Sequence, residues 1–301
     1  MKKNKTIIMV LLFFMGLLVL LYPTLSDFYN QKVQSAAIVN YESILSEYEE
    51  KDYTDLFEAA NKYNEDLKKL SEPYLMHKKL KNYNNIINAN GKGMMGYIQI
   101  DKIKVELPIY HGTTEEVLNV AVGHLEGSSI PVGGLGTHSV LSAHRGLPST
   151  KLFTDLDKLE IGDVFIVTIL NRQLTYQIDH IEIVEPHNIN NLKIDPKEDY
   201  LTLMTCTPYG INTHRLLVRG KRIENIEKPL YITTEAFKVS TITVTSLVSI
   251  PIILSLLLII ILKPVDTINK NKLIEKYIYP SKNKVGGNKK WKESSIKFSS
   301  H

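Results

Sequence analysis

The single cysteine of the sequence, Cys206, closes a β-type run, Tyr200-Leu201-Thr202-Leu203-Met204-Thr205, and stands directly before Thr207-Pro208-Tyr209-Gly210. A thiolate attacks a carbonyl well only when its pKa is lowered or a base or cation lies beside it. The oxyanion that forms needs a donor, and a leaving amine needs an acid. Two residues could supply these. His144 follows Ser139-Val140-Leu141-Ser142-Ala143 and enters the turn Arg145-Gly146-Leu147-Pro148. Arg215 opens the β-type run that follows the cysteine, beyond the turn 207–214. Antiparallel pairing of the last two runs would bring it beside Cys206. All three fall at strand–loop junctions. Spacing alone leaves open a buried, inert cysteine in a non-enzymatic domain.

The other polar residues read more plainly. His111, His124 and His138 are expected in structural or solvent-facing roles, and no His/Asp/Glu cluster has metal-ligand spacing. His214 adjoins Arg215 and either lines the site or sits in the turn. Arg145 reads as a surface charge and Arg219 as part of a solvated strand face. With one cysteine no intrachain disulfide can form, so an extracellular domain here depends on its core.

The elements that must position these residues lie between two lipid-like stretches. Residues 6–22, TIIMVLLFFMGLLVLLY, are uncharged and follow Lys2, Lys3 and Lys5, which places the N-terminus in the cytoplasm. Ser35-Ala36-Ala37 lies too far past this run for signal cleavage, so an uncleaved anchor is expected. Residues 241–262 are also uncharged, with Pro251 tolerable in a membrane helix, and lysines crowd the far side. Much of the formal net charge of +4 sits in these termini, and the middle has no basic stripe, which argues against nucleic acid.

Within the middle, Leu45, Tyr48, Leu56, Ala60, Tyr63, Leu67 and Leu70 recur at helical spacing and predict an amphipathic helix or helical pair. A loop is expected over 71–93, and strands over 96–100, 105–110, 139–143, 164–169, 174–184, 200–205 and 216–221. Their spacing suggests a mostly β, antiparallel barrel or sandwich.

Several segments resemble one family. LTLMTCTP (201–208), with Arg215 nine residues after Cys206, resembles the Thr-Leu-x-Thr-Cys signature of sortases. THSVLSAHRGLP (137–148) resembles their histidine region, and MGYIQIDKIKVELPIYHGT (95–113) their opening strands. GHLEGSSIP (123–131) and KLFTDLDKLEIGD (151–163) agree in order. The long N-terminal extension and second membrane segment resemble class C, the pilin-polymerising sortases of Gram-positive bacteria.

The resemblance implies an eight-stranded sortase-type β-barrel with short helices and no cofactor or metal. It gives Cys206 the role of nucleophile, His144 that of general acid then base, and Arg215 substrate binding and oxyanion support. It also implies a lid before the barrel, for which Glu72-Pro73-Tyr74 is the candidate: Glu72 would meet Arg215 and the Tyr74 ring would cover Cys206. The expected organisation is a cytoplasmic N-terminus (1–5), a transmembrane helix (6–22), an extracellular helical extension with the lid (23–93), the barrel (94–224), a linker (225–240), a second transmembrane helix (241–262) and a basic cytoplasmic tail (263–301). The implied reaction joins an LPXTG-like sorting signal, cleaved at Thr-Gly, to a lysine amine of a pilin subunit at the cell membrane. Anchoring single proteins to the cell wall, or hydrolysis, remains an alternative duty.

Overall fold

The structure, a computed structural model, describes residues 2–225 together with Pro251, Leu254 and Ser255. Residues 7–225 belong to one compact unit. The expected linker and basic tail, and the second span apart from those three residues, lie outside the described residues.

Residues 7–225 hold a closed eight-stranded barrel. Its strands are β1 (Met94–Ile100), β2 (Val105–His111), β3 (Val122–His124), β4 (Thr137–Ser142), β5 (Val164–Ile169), β6 (Arg172–Val184), β7 (Asp199–Thr207) and β8 (His214–Ile223). They close in the order β1-β2-β3-β4-β7-β8-β6-β5. Seven of these strands match the periodicity reading; the three-residue β3 is too short to show a period. A wholly antiparallel barrel is corrected, because β2 with β3 and β4 with β7 are parallel. A parallel pair needs a crossover, which alternation within a strand does not reveal. The first crossover carries a one-turn helix, Glu115–Leu118, and the second contains β5 and β6.

Alternate residues fill the barrel. Ile98, Ile109, Val167, Leu203 and Val218 are fully buried, and truncating a side chain such as Leu203 to Ala costs about 2–5 kcal/mol. Two helices precede the barrel: α1 (Lys2–Leu45), with Pro23 inside it, and α2 (Glu50–Lys68). One stretch among the described residues is long and apolar enough to cross a membrane, Leu11–Leu45 of α1. The helical pair anticipated around 41–70 is therefore the end of a long helix followed by a second one.

Both helices are clasped by buried polar groups. The Tyr41 hydroxyl donates to Met95 O (2.8 Å) and accepts from Leu170 N–H (3.1 Å). Asp52 caps α2 by accepting the Glu49 N–H (2.9 Å). Phe57, Ala60, Tyr63 and Leu67 form its buried face, and Asn64 makes paired bonds to Ile130 N and O. The expected loop contains a further short helix, α3 (Pro73–Met76), with Pro73 at its first position.

Candidate active site

Directly opposed residues of neighbouring strands point to the same face, so the ladder fixes which side chains share a row. On the outer face Cys206 of β7 opposes Arg215 of β8, and Arg215 opposes Val184 of β6. The next row is Ser142–Met204–Leu217–Glu182, and the row after that is Val140–Thr202–Arg219–His180. The interleaved residues Leu201, Leu203 and Thr205 face inward and are buried.

His144 lies two residues past the Ser142–Met204 pair. The chain stays in step there, since Ala143 N–H donates to Met204 O (3.2 Å) and Thr205 Oγ1 donates to Ala143 O (2.8 Å). Beyond Ala143 the chain leaves the ladder, the His144 carbonyl accepting from Phe153 N–H (3.2 Å). Cys206 and Arg215 thus share one row of β7 and β8, and His144 stands just past the end of β4, the strand on the other side of β7. Cys206, His144 and Arg215 are all half-buried. The Arg215 Nη1 donates to the carbonyls of Asn212 (3.2 Å) and His214 (3.1 Å), and no carboxylate among the described residues pairs with it. Its charge is left available to a ligand.

Beside this row runs a groove of about 430 Å³, floored by Met204, Leu217 and Arg215 and walled by Val184, Leu192, Glu126 and Tyr74. The segment expected to be a lid is seated in it, differently from the expectation. Tyr74 donates its hydroxyl to Leu192 O (2.9 Å) and packs with the cluster of Val140, Val184, Leu192 and Leu217. Burial pushes its phenol well above the usual range. Gly127 makes this seat possible: at φ +89° a Cβ there would lie 2.8 Å from Tyr74 Cα. Glu72 does not meet Arg215. It is exposed and occupies the N-cap of α3, its carbonyl accepting from Leu75 and Met76, because Pro73 starts the helix there. The segment is held instead by His77, which pairs with Glu126 (3.2 Å) and donates Nδ1–H to Tyr74 O (3.0 Å).

The sequence model of the Sortase domain family matches residues 98–223. Sortase C1 from Streptococcus agalactiae is 48% identical, superposes with a TM-score of 0.58, and aligns over 64% of this chain and 100% of its own. Clostridium perfringens sortase C, solved with the C-terminal cell wall sorting motif, is 44% identical with a TM-score of 0.56, over 64% of this chain and 100% of its own. Among curated proteins, Sortase D of Bacillus subtilis is 31% identical over 131 residues, 42% of this chain and 63% of that protein. This chain belongs to the sortase family. The class C resemblance stands with it, the similar sortase C structures being 40–48% identical. The chain nevertheless spans only 63% and 46% of the first curated relatives, Sortase D and Sortase SrtE1 of Streptomyces coelicolor.

In this sortase the residue after the histidine, Arg145, is not the surface charge that its residue type suggests. The Arg145 side chain is only 9% exposed; its Nη1 donates to Thr207 Oγ1 (3.1 Å) and its Nη2 pairs with Asp157. It ties the His144 turn to the strand end that carries Cys206. Its position immediately after His144 was the only sequence signal. Arg219 likewise is engaged, gripping Asp179 through Nε (3.0 Å) and Nη2 (2.8 Å) and stacking on Tyr200.

Two histidines brace the sortase barrel as neutral rings. His138 donates Nδ1–H to Lys193 O (2.9 Å), so its Nε2 accepts from Thr202 Oγ1 (2.8 Å). His124 donates Nε2–H to Ser129 O (2.8 Å), so its Nδ1 accepts from the Tyr83 hydroxyl (2.8 Å). Burial holds both down at about 4. His111 bonds to the carbonyls of Gly93 and Ile86.

Proposed function

We propose that this sortase is a membrane-anchored cysteine transpeptidase that polymerises pilin subunits. The observation that supports the reading is the direct pairing of Cys206 with Arg215 at the ends of β7 and β8, with His144 just past the end of the adjacent β4, in a sortase barrel beside an apolar groove. The Cys206 sulfur attacks the Thr–Gly carbonyl of an LPXTG-like signal. Negative charge develops on the carbonyl oxygen, and Arg215 donates to it. The C–N bond breaks as His144 protonates the departing amine, leaving a thioacyl enzyme. A lysine amine of the next subunit then attacks the thioester, His144 takes back a proton, and the thiolate leaves from an isopeptide product. No residue beyond these three and no cofactor is called on.

The groove, with Leu192 and Tyr74 in its wall, would hold the residues before the scissile bond; the C. perfringens sortase C solved with its sorting motif supports such a use. Anchoring follows from α1, with residues 1–5 and the tail 263–301 cytoplasmic, residues 241–262 as a second span, and the barrel outside the cell. Tyr74, on the segment that Glu72 begins, would act as a lid that must leave the groove before substrate enters. Because Glu72 does not pair with Arg215, attachment of single proteins to the cell wall is the second reading. Membranes carrying the full chain, incubated with pilin subunits bearing an LPXTG-like signal, should give ladders of covalent multimers. One product of fixed size would favour the second reading, and no transfer at all would refute both.

A further inference from the structure

The direction in which α1 passes the barrel orients the active site. β4 and β7 both run toward the end that carries His144, Cys206 and the β7–β8 turn. The early residues of α1 bond to that same end. Lys151 N–H donates to Asp27 Oδ1 (2.8 Å), Asn30 Nδ2 donates to Ser149 O (2.7 Å), and Gln34 Nε2 donates to Val120 O (2.7 Å). The later residues bond to the opposite end: Tyr41 to Met95, and Glu42 to the Tyr97 hydroxyl (2.8 Å). The apolar run of α1 ends at Tyr22. At a rise of about 1.5 Å per residue, Asp27 and Asn30 lie only about 8–12 Å farther along the axis. The headgroup layer of one leaflet is itself about 5–8 Å deep.

We infer that the catalytic end of the barrel rests against the lipid surface, with the β7–β8 turn in the headgroup layer; this rests on the anchored reading of α1. Tyr209 and Ile211 of that turn are 60% and 68% exposed, and the Tyr209 ring packs on Gly146 of the His144 turn. On α1, Leu25, Phe28 and Tyr29 are exposed around Asp27, the kind of aromatic and apolar belt that sits at a membrane–water interface. Exposure alone does not choose the end, since Leu135 at the opposite end is also exposed. The helix direction chooses it. A substrate must then present its scissile bond at headgroup height, and the barrel need not detach to reach it.

The test uses the full chain in lipid nanodiscs of phosphatidylcholine and phosphatidylglycerol, with Cys206→Ala removing the native thiol. Single fluorophores are placed through Leu18→Cys, Tyr209→Cys, Ile211→Cys and Leu135→Cys, and quenching by headgroup-labelled and acyl-labelled spin lipids is measured. Leu18→Cys should be quenched by acyl label, Tyr209→Cys and Ile211→Cys by headgroup label, and Leu135→Cys by neither. Quenching at Leu18→Cys with bright probes at both turn positions overturns the inference while sparing the anchor. Equal quenching at Ile211→Cys and Leu135→Cys overturns it too. An unquenched Leu18→Cys removes the anchor and the inference together.

Discussion

Cys206 and Arg215 directly oppose each other across the β7–β8 ladder, the penultimate residue of one strand against the second residue of the next. The relationship is one of register. A slip by one residue would turn one of them into the barrel. Eight consecutive pairs, from Tyr200–Lys221 to Thr207–His214, hold that register, so the juxtaposition does not rely on any contact between the two side chains.

Replacing Cys206 with Ala should abolish both the thioacyl enzyme and covalent multimers. The side chain is half-buried on the outer face, so stability should change by under about 1 kcal/mol. Mass spectrometry of the trapped enzyme and thermal melting check the two halves. Any ladder from this variant would exclude cysteine chemistry, since the sequence contains no other thiol.

The two outward arginines of β8 should separate cleanly. Arg215→Lys replaces a planar fork with a point charge and should lower kcat/KM on the order of a hundredfold. His144→Ala should stop turnover through loss of proton transfer. Arg219→Lys breaks the grip on Asp179 and the stack on Tyr200, and should cost about 1 kcal/mol of stability with activity kept. Transfer assays and melting on the same preparations decide it; the reverse pattern would make Arg219 the functional arginine.

Tyr74→Phe removes only the hydroxyl that bonds Leu192 O. Such a bond is worth about 1 kcal/mol net, so release of the α3 segment, and with it alkylation of Cys206, should speed up about fivefold. Glu72→Ala should leave the rate unchanged, because Glu72 holds no partner across the groove. Equal rates in all three proteins would mean that α3 packs on the barrel without gating the thiol.

Arg145 should prove a positioning residue. Arg145→Ala frees the His144 turn from Thr207 and should lower kcat far more than it raises KM. A stability loss alone, of about 1–3 kcal/mol with kcat unchanged, would assign it a purely structural role.

Acid should weaken the fold through its buried histidines. His124 and His138 are held at about 4, below the ordinary value of 6.5, so the unfolded chain binds more protons between those limits. Stability should therefore fall as pH drops from about 6.5 toward 4, by at most about 1.4 kcal/mol per pH unit for each ring. Asp199 opposes this in part, since burial raises its pKa and its penalty fades on protonation. Urea midpoints across this range check the slope, and His138→Gln should flatten it. An unchanged slope would mean that His138 is not neutral in the fold.

Much of this was legible before any coordinates. Strand periodicity located β5 to the residue and the other long strands to within a few residues, because one face of each is buried and the alternation is written in residue types. The lone cysteine and the arginine of the next run were legible as neighbours because two consecutive strands joined by a short turn pair antiparallel. What stayed hidden depended on partners distant in the chain. The parallel seating of β4 on β7, which puts the His144 turn at the end of the barrel that carries Cys206, joins strands separated by β5 and β6, and no local pattern encodes a crossover. The seat of Tyr74 on Leu192 spans 118 positions, and Glu72 turned away from Arg215 because Pro73 begins a helix where a free loop was expected. Arg145 looked solvated because sequence carries charge but not burial; the cavity that desolvates it exists only once Thr207 and Asp157 have been folded around it.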